Sequence, residues 1–299
     1  MICPLCNEEV KTIIVNKLRH GENKDVYFCK ICELGILDDD KTEKELKKFY
    51  EDDYRSQHTP SIRTAEQIFN TYEKYQEDRI HLISPFLNKN MKLLEIGCSS
   101  GQFLYHIKDK VKEIKGIEYD KDAANFASSK CNCDININVN QKFNIIVMLQ
   151  VLEHMKFPLK YLKYIKTFME PEALIYIEVP NLYDALLMAY DLQNYKQFYF
   201  HNAHLWYFSQ KSLEKMMNLA GFKGEIEYTQ DYNFMNHMHW LTTDLPELDC
   251  NNLGKIRIPL RNNLYNPIQK FLENMDNEYK ELLKFLRITS NISYIGTLT

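Results

Sequence analysis

The stretch Leu93-Leu94-Glu95-Ile96-Gly97-Cys98-Ser99-Ser100-Gly101 limits what this chain can fold into more than any other. An apolar run ends on an acid, passes a small-residue turn and enters Gln102-Phe103-Leu104, which reads as a helix start. A strand, a tight loop and a helix N-terminus therefore follow one another within about a dozen residues. Small side chains let a ligand approach the loop backbone, and unpaired amides at a helix start favour negative charge. Dinucleotide folds hold a pyrophosphate at such a place, on the carboxyl end of the first strand of a doubly wound sheet. Here the spacing is Gly-x-x-x-Gly instead of Gly-x-Gly-x-x-Gly, and an acid precedes the first glycine. Both departures point away from a nicotinamide cofactor and toward a different nucleoside.

The rest of the chain fits that start. Strand-like segments at 91–97, 113–118, 143–149 and 173–179 alternate with helix-like segments at 101–110, 121–130, 158–169 and 209–220, with a weaker strand at 133–139. Alternation of this kind predicts a parallel sheet with helices on both faces. After Gly221-Phe222, strand-like pieces near 224–229 and 234–241 predict a hairpin closing the sheet, and the tail carries one helix near 267–286. Ahead of the sheet, Thr42-Glu43-Lys44-Glu45 reads as a capping box, and Ile62, Ala65, Phe69, Tyr72, Ile80 and Ile83 mark a second helix. The reading divides the chain into a module at 1–38, a helical linker or cap at 39–88, a nucleoside-binding domain at 89–245 and a helical extension at 246–299.

Cys3-Pro4-Leu5-Cys6 and Cys29-Lys30-Ile31-Cys32 are two C-x-x-C units with 22 residues between them. Cys3, Cys6, Cys29 and Cys32 supply four thiolates suited to tetrahedral, closed, structural zinc, and Gly35 fits the tight turn of a zinc knuckle. A redox pair lacks its βαβ context, and two disulfides would need an oxidising compartment. Cys98, Cys131, Cys133 and Cys250 show no such pairing. No apolar run reaches membrane-spanning length and the start lacks a signal peptide's apolar core, so the expected location is the cytoplasm. The formal charge of −4 supplies no field for gathering nucleic acid. Twenty Tyr and 16 Phe are mostly packing, with the cluster between Tyr195 and Tyr207 free to line a pocket for a polar ring-shaped acceptor.

Glu118 ends the second strand, 21 residues after Gly97, where a carboxylate meets ribose hydroxyls in a nucleotide-binding half-sheet. Gln150-Val151-Leu152-Glu153-His154 emerges at the carboxyl edge of the strand that faces the first loop.

Leu93–Leu104, Gly116–Asp120, Phe143–His154 and Ile177–Asn181, with the closing Phe208–Phe222 segment, resemble the ordered motifs of class I S-adenosylmethionine-dependent methyltransferases over about residues 90–222. The resemblance implies a Rossmann-like fold, a mostly parallel seven-stranded sheet with a terminal antiparallel hairpin. It also implies that Glu95, Gly97, Ser99 and Gly101 cradle the methionine and ribose of S-adenosylmethionine, that Glu118 binds the ribose and that Gln150 lies against the methionine end. Ser99 stands where many members have Gly and Asn144 where many have Asp. The segment Ile135–Asn138 is poorly matched, so no adenine contact is assigned.

The cysteine module followed by Phe49-Tyr50-x-x-x-Tyr54-x-Ser56 resembles bacterial sugar methyltransferases with a cysteine-rich N-terminal domain. Members acting on sugar carbon carry Tyr-His-Glu-His, where this chain has His201-Asn202-Ala203-His204, and they add a second large domain. The expected reaction is therefore methyl transfer to a sugar hydroxyl, on a nucleotide sugar or a surface-polysaccharide precursor. His204 is the expected base, His201 the second choice and His154 a pocket or secondary acid–base group. His237 and His239 alternate on the expected strand 234–241, so one of its faces would reach the pocket. Sugar C- or N-methylation, an RNA methyltransferase and a cofactor-binding scaffold are the alternatives.

Overall fold

The computed structural model describes residues 1–53, 64–136, 139–247, 254–256 and 266–298. Tyr54, Ser56, Ile62, Ile137, Asn138 and Cys250, all within the readings above, lie outside them. The chain opens with an antiparallel meander of β1 (Ile13–Val15), β2 (Val26–Cys29) and β3 (Leu34–Leu37). The capping box forms: Thr42 Oγ1 accepts from the Glu45 amide and Glu45 accepts from the Thr42 amide, starting α1 (Glu43–Lys48). The single helix expected at 62–83 is two, α2 (Ala65–Tyr72) and α3 (Gln76–Ile83), joined by a 3₁₀ turn at Glu73–Tyr75.

Strands and helices then alternate as β4 (Lys92–Ile96), α4 (Gln102–Ile107), β5 (Glu113–Ile117), α5 (Lys121–Cys131), β6 (Asp134–Ile135), β7 (Phe143–Leu149), α6 (Pro158–Ile165) and β8 (Met169–Pro180). Beyond them lie α7 (Ala185–Met188), α8 (Gln193–Tyr199), β9 (Trp206–Phe208), α9 (Gln210–Ala220), β10 (Phe222–Thr229), α10 (Phe234–Thr243), α11 (Asn266–Leu286) and β11 (Asn291–Leu298).

The main sheet has seven strands in the order β10-β11-β8-β7-β4-β5-β6. β4 pairs in parallel with β5 on one side and β7 on the other, so strand order reverses there and a crevice opens at their carboxyl ends. Ile145, Ile146, Val147 and Met148 of β7 are fully buried, the mark of a strand covered on both faces. Each such side chain contributes about 1.5–3 kcal/mol relative to exposure.

The closing hairpin is present, but its second strand comes from the end of the chain. β11 is antiparallel to both β8 and β10 and lies between them. The segment expected to be a helical extension thus supplies a strand of the sheet. Phe234–Thr243, expected as a strand, is a helix capped by Asn233, with Asn236, His237 and Trp240 buried at helical spacing. His237 lies between Gln230 and Tyr279, and burial pushes its pKa down to about 4.

β9 crosses over to pair with β3, completing a second, four-stranded sheet. Gly35 is in β3, not in a turn. A Cβ on it would stand 2.8 Å from the Cβ of Tyr207, so glycine is what lets β9 approach. Cys3, Cys29 and Cys32 share one apolar core with Ile146, Phe208 and Met216. Among the described residues, no helix is long and apolar enough to cross a membrane.

Candidate active site

The loop after β4 is held by backbone. The Gly97 and Cys98 amides both donate to the Ile117 carbonyl, at 2.8 and 3.1 Å, tying the loop to the end of β5. Gly97 has φ +73°, and a Cβ there would come 2.5 Å from Val151 Cγ2 on the neighbouring loop. Gly101 also has positive φ and begins α4. An added Cβ would meet Cys131 Sγ at 2.9 Å and Ala127 Cβ at 3.0 Å, so this glycine serves helix packing and is not among the lining residues of the cavity. Ser99 (φ +47°) and Gln150 (φ +57°) adopt left-handed backbone although they are not glycines. Such conformations cost on the order of 1–3 kcal/mol each and gather where loops meet ligands.

A cavity of about 840 Å³ lies above these loops, lined by Gly97, Ser99, Glu118 and Gln150 and also by His154, His201 and His204. Glu118 accepts from the Ser99 amide at 2.8 Å and from the Tyr119 and Asp120 amides at 2.7 and 2.8 Å. Burial raises its pKa while these three amides lower it. The last two amides share Oε1, so Oε2, which takes only the Ser99 amide, retains acceptor capacity for a hydroxyl. Gln150 Nε2 donates to Glu178 at 3.0 Å and Asn291 at 3.1 Å. Glu95 lies beneath the loop, outside the lining, with one carboxylate oxygen lacking a partner among the described residues. Burial raises its pKa well above the carboxylate range.

Arg79 escaped the sequence reading. It is buried, donates to Glu178 at 2.5 and 2.9 Å, lies 3.5 Å from Asp231 and lines the same cavity. Its signal was Glu178, an acid inside the apolar run 173–179, which in a buried strand demands a cation.

The opposite wall is assembled from distant segments. Glu153 is fully buried, and neither of its carboxylate oxygens has a hydrogen-bond partner among the described residues. Burial pushes its pKa up to about 8. Its Oε1 stands 3.8 Å from His154 Nε2 and 3.8 Å from His204 Nε2. His154 Nδ1 lies 2.8 Å from the Ala203 carbonyl, and because a carbonyl only accepts, that nitrogen carries the proton. Tyr50 Oη donates to the same carbonyl at 3.1 Å.

The rings of His201 and His204 stack with centroids 3.8 Å apart. His201 Nδ1 accepts from the Ala203 amide at 3.3 Å, which leaves its Nε2 as a donor and a poor base. Tyr207 Oη clamps the His201 backbone from both sides, accepting from its amide and donating to its carbonyl at 3.0 Å each. The Leu205 amide donates to the Glu153 carbonyl at 2.9 Å, joining the two loops.

At the far end of β3 the four cysteines named from spacing come together, their sulfurs all within 4.8 Å of one another. Cys6 Sγ and Cys29 Sγ are 3.7 Å apart, close to the ~3.8 Å that tetrahedral Zn–S bonds impose. Turn residues Asn7 and Glu33, both with positive φ, fold the two C-x-x-C loops.

A switch-point crevice carrying a small-residue loop, an acid on the next strand and a cavity beyond them defines the nucleoside-dependent group-transfer enzymes built on a Rossmann-like sheet. This chain belongs to the methyltransferase-domain family, whose model matches residues 65–225, and it is an S-adenosylmethionine-dependent methyltransferase. No curated protein matches the sequence.

Among solved structures it is similar to a chain of the complex between the Haloferax volcanii Trm112 methyltransferase activator and a methyltransferase (11% identity, 77% of this chain and 92% of that one, TM-score 0.50). It is also similar to a SAM-dependent methyltransferase from Archaeoglobus fulgidus (17%, 82% and 100%, TM-score 0.49). A third is the plantazolicin methyltransferase BpumL in complex with SAH (12%, 85% and 94%, TM-score 0.49). The first of these, at 11% identity, speaks to the fold alone.

Proposed function

We propose that this enzyme methylates a hydroxyl of a sugar, free, nucleotide-linked or in a growing glycan. The observation that carries the reading is the shared cavity: the β4 loop and Glu118 line one side, and His154, His201 and His204 line the other beside Tyr50, Tyr195 and Tyr199. Aromatic faces and phenol hydroxyls suit a polar ring that is apolar on its faces.

S-Adenosylmethionine, bound here, supplies a methyl on a sulfonium leaving group. Gly97 and Ser99 would hold it by close backbone approach, Glu118 would accept from its ribose, and Gln150 with Arg79 would take the methionine end; Glu95 and Gly101 would act from beneath by shaping the loop. The chain's remaining task is alignment, which supplies much of the rate in transfers of this kind. As the acceptor oxygen forms its bond to the methyl carbon and the carbon–sulfur bond breaks, the hydroxyl proton passes to His204. Glu153, 3.8 Å away, faces the imidazolium that results. The four cysteines hold a structural zinc that fixes the module against β9.

Supplying labelled S-adenosylmethionine with a panel of simple glycosides and nucleotide sugars tests the reading. The expected product gains 14 daltons as an O-methyl ether, identified by its methyl resonance; a methyl found on nitrogen, carbon or RNA overturns it. His204→Asn should lower kcat by about 10²–10⁴-fold while leaving S-adenosylmethionine affinity unchanged.

A further inference from the structure

Glu153 poses a problem that base catalysis alone does not solve. A carboxylate with no exposed surface and no hydrogen-bond donor among the described residues is an expensive thing to bury. It faces two ring nitrogens, and one of them, His154 Nε2, carries a lone pair in the neutral ring because Nδ1 holds the proton donated to Ala203. Oxygen and nitrogen lone pairs 3.8 Å apart repel, and at that distance a proton on either atom makes no hydrogen bond to the other, so the pair calls for a cation between them. The partner of His154 Nδ1 is also what a metal-bound imidazole ordinarily has, a carbonyl that fixes the tautomer and aims the other nitrogen.

We propose that Glu153, His154 and His204 form a divalent transition-metal site in the wall of the acceptor pocket. The three donor atoms lie within 4.8 Å of one another. Bonds of about 2.1 Å set neighbouring ligand atoms about 3–4 Å apart, so a small inward rotation of the imidazoles completes the set. Two imidazoles and one carboxylate suit zinc, cobalt, manganese or iron in the divalent state, with open positions left for other ligands. His154 and His204 line the cavity while Glu153 lies behind them, so those positions face the cavity.

The inference rests on the hydroxyl-methylation reading only for its chemical role. There it changes one step: the acceptor oxygen would bind the cation, its O–H bond would break with the proton leaving to cavity water, and the alkoxide would form the new bond to the methyl carbon as the carbon–sulfur bond breaks and the thioether leaves. His204 is then a ligand and not a base. Tyr50, which donates to the carbonyl that orients His154, is a positioning residue for the site.

The test uses the full chain with its cysteine cluster loaded with zinc, titrated with Co²⁺ and followed by absorption. A site of imidazole and carboxylate gives weak visible d–d bands without the near-ultraviolet thiolate bands of a cysteine site. The expected result is saturation at about one Co²⁺ per chain, weakened more than about tenfold in Glu153→Gln and in His204→Gln and about tenfold in Tyr50→Phe. Should Glu153→Gln not fold, the two other variants carry the test. Absence of the d–d bands, or equal binding by Glu153→Gln and His204→Gln, overturns the site. Sugar methylation that proceeds without these bands and resists EDTA leaves the hydroxyl reading intact and restores His204 as base. Bands without sugar methylation support the site and count against the acceptor.

Discussion

The two walls of the cavity are made by opposite strategies. The wall we propose for the cofactor comes from consecutive strand ends, and its geometry is backbone geometry: amides onto the Ile117 carbonyl, three amides onto Glu118, and left-handed residues at 97, 99, 101 and 150. The wall we propose for the acceptor takes Tyr50, Glu153–His154 and His201–Tyr207 from well-separated parts of the chain and joins them mostly through side chains, with the Leu205 amide on the Glu153 carbonyl as a backbone link. A wall written in backbone accepts little variation in position. A wall written in side chains can be re-specified for a new acceptor without disturbing the donor.

The sharpest way to break this comparison is to remove the zinc we propose at the four cysteines. Structural zinc contributes on the order of 10 kcal/mol to small modules, and β9 ties this one to the acceptor wall. Replacing two of the ligands, Cys3→Ser with Cys6→Ser, should abolish methyl transfer while changing S-adenosylhomocysteine affinity by calorimetry less than about threefold, under 1 kcal/mol. Joint loss of both would mean that the walls are one cooperative unit.

Arg79→Met attacks the cofactor wall instead. It leaves Glu178 and Asp231 without their cation and should cost about 3–5 kcal/mol in urea unfolding. A much smaller loss would show that the wall does not lean on this buried network.

Asp184 tests the acceptor wall through pH. It caps α7 at the cavity edge, and burial lifts its pKa from 3.8 to about 7. The folded protein therefore holds this proton more tightly than the unfolded chain. The associated stability is complete below about pH 4 and is lost as pH rises through 7. Asp184→Asn keeps the cap and removes the titration, so its melting temperature should exceed the parent's at pH 8 by the equivalent of at most about 4 kcal/mol. Parallel pH profiles for the two proteins would refute the assignment.

The mildest change is Gly97→Ala. Its φ of +73° and the 2.5 Å approach to Val151 should cost about 1–3 kcal/mol and weaken cofactor binding about tenfold, with no effect on which acceptors are used.

The same contrast explains what the sequence disclosed. The β4 loop, Glu118 and the alternating strands are local patterns, and a window of a dozen residues contains everything that specifies them. The two C-x-x-C pairs were legible because metal chemistry constrains spacing. The tail strand was not: nothing near Asn291–Leu298 says that it inserts between β8 and β10, since its partners lie at 174–180 and 222–229. Phe234–Thr243 was misread because His237 and His239 alternate by two, while the burial of Asn236, His237 and Trp240 follows the helical period. Gly35 was assigned to a turn because its real neighbour, Tyr207, is far away in sequence. Glu153 and His154 drew notice in the sequence as a loop pair. Their meeting with His204 is tertiary and had no local trace.

The pairing of β3 with β9 also has a consequence in time. A ribosome makes Cys3 to Cys32 well before β9 and reaches Trp206–Phe208 roughly 170 residues after β3. At about 5–20 residues per second, the amino-terminal sheet waits on the order of 10–30 s for its last strand. During that interval the thiols are unshielded, and any metal they capture must be held by the loops alone. A segment made well before its last partner strand is finished only when that strand arrives.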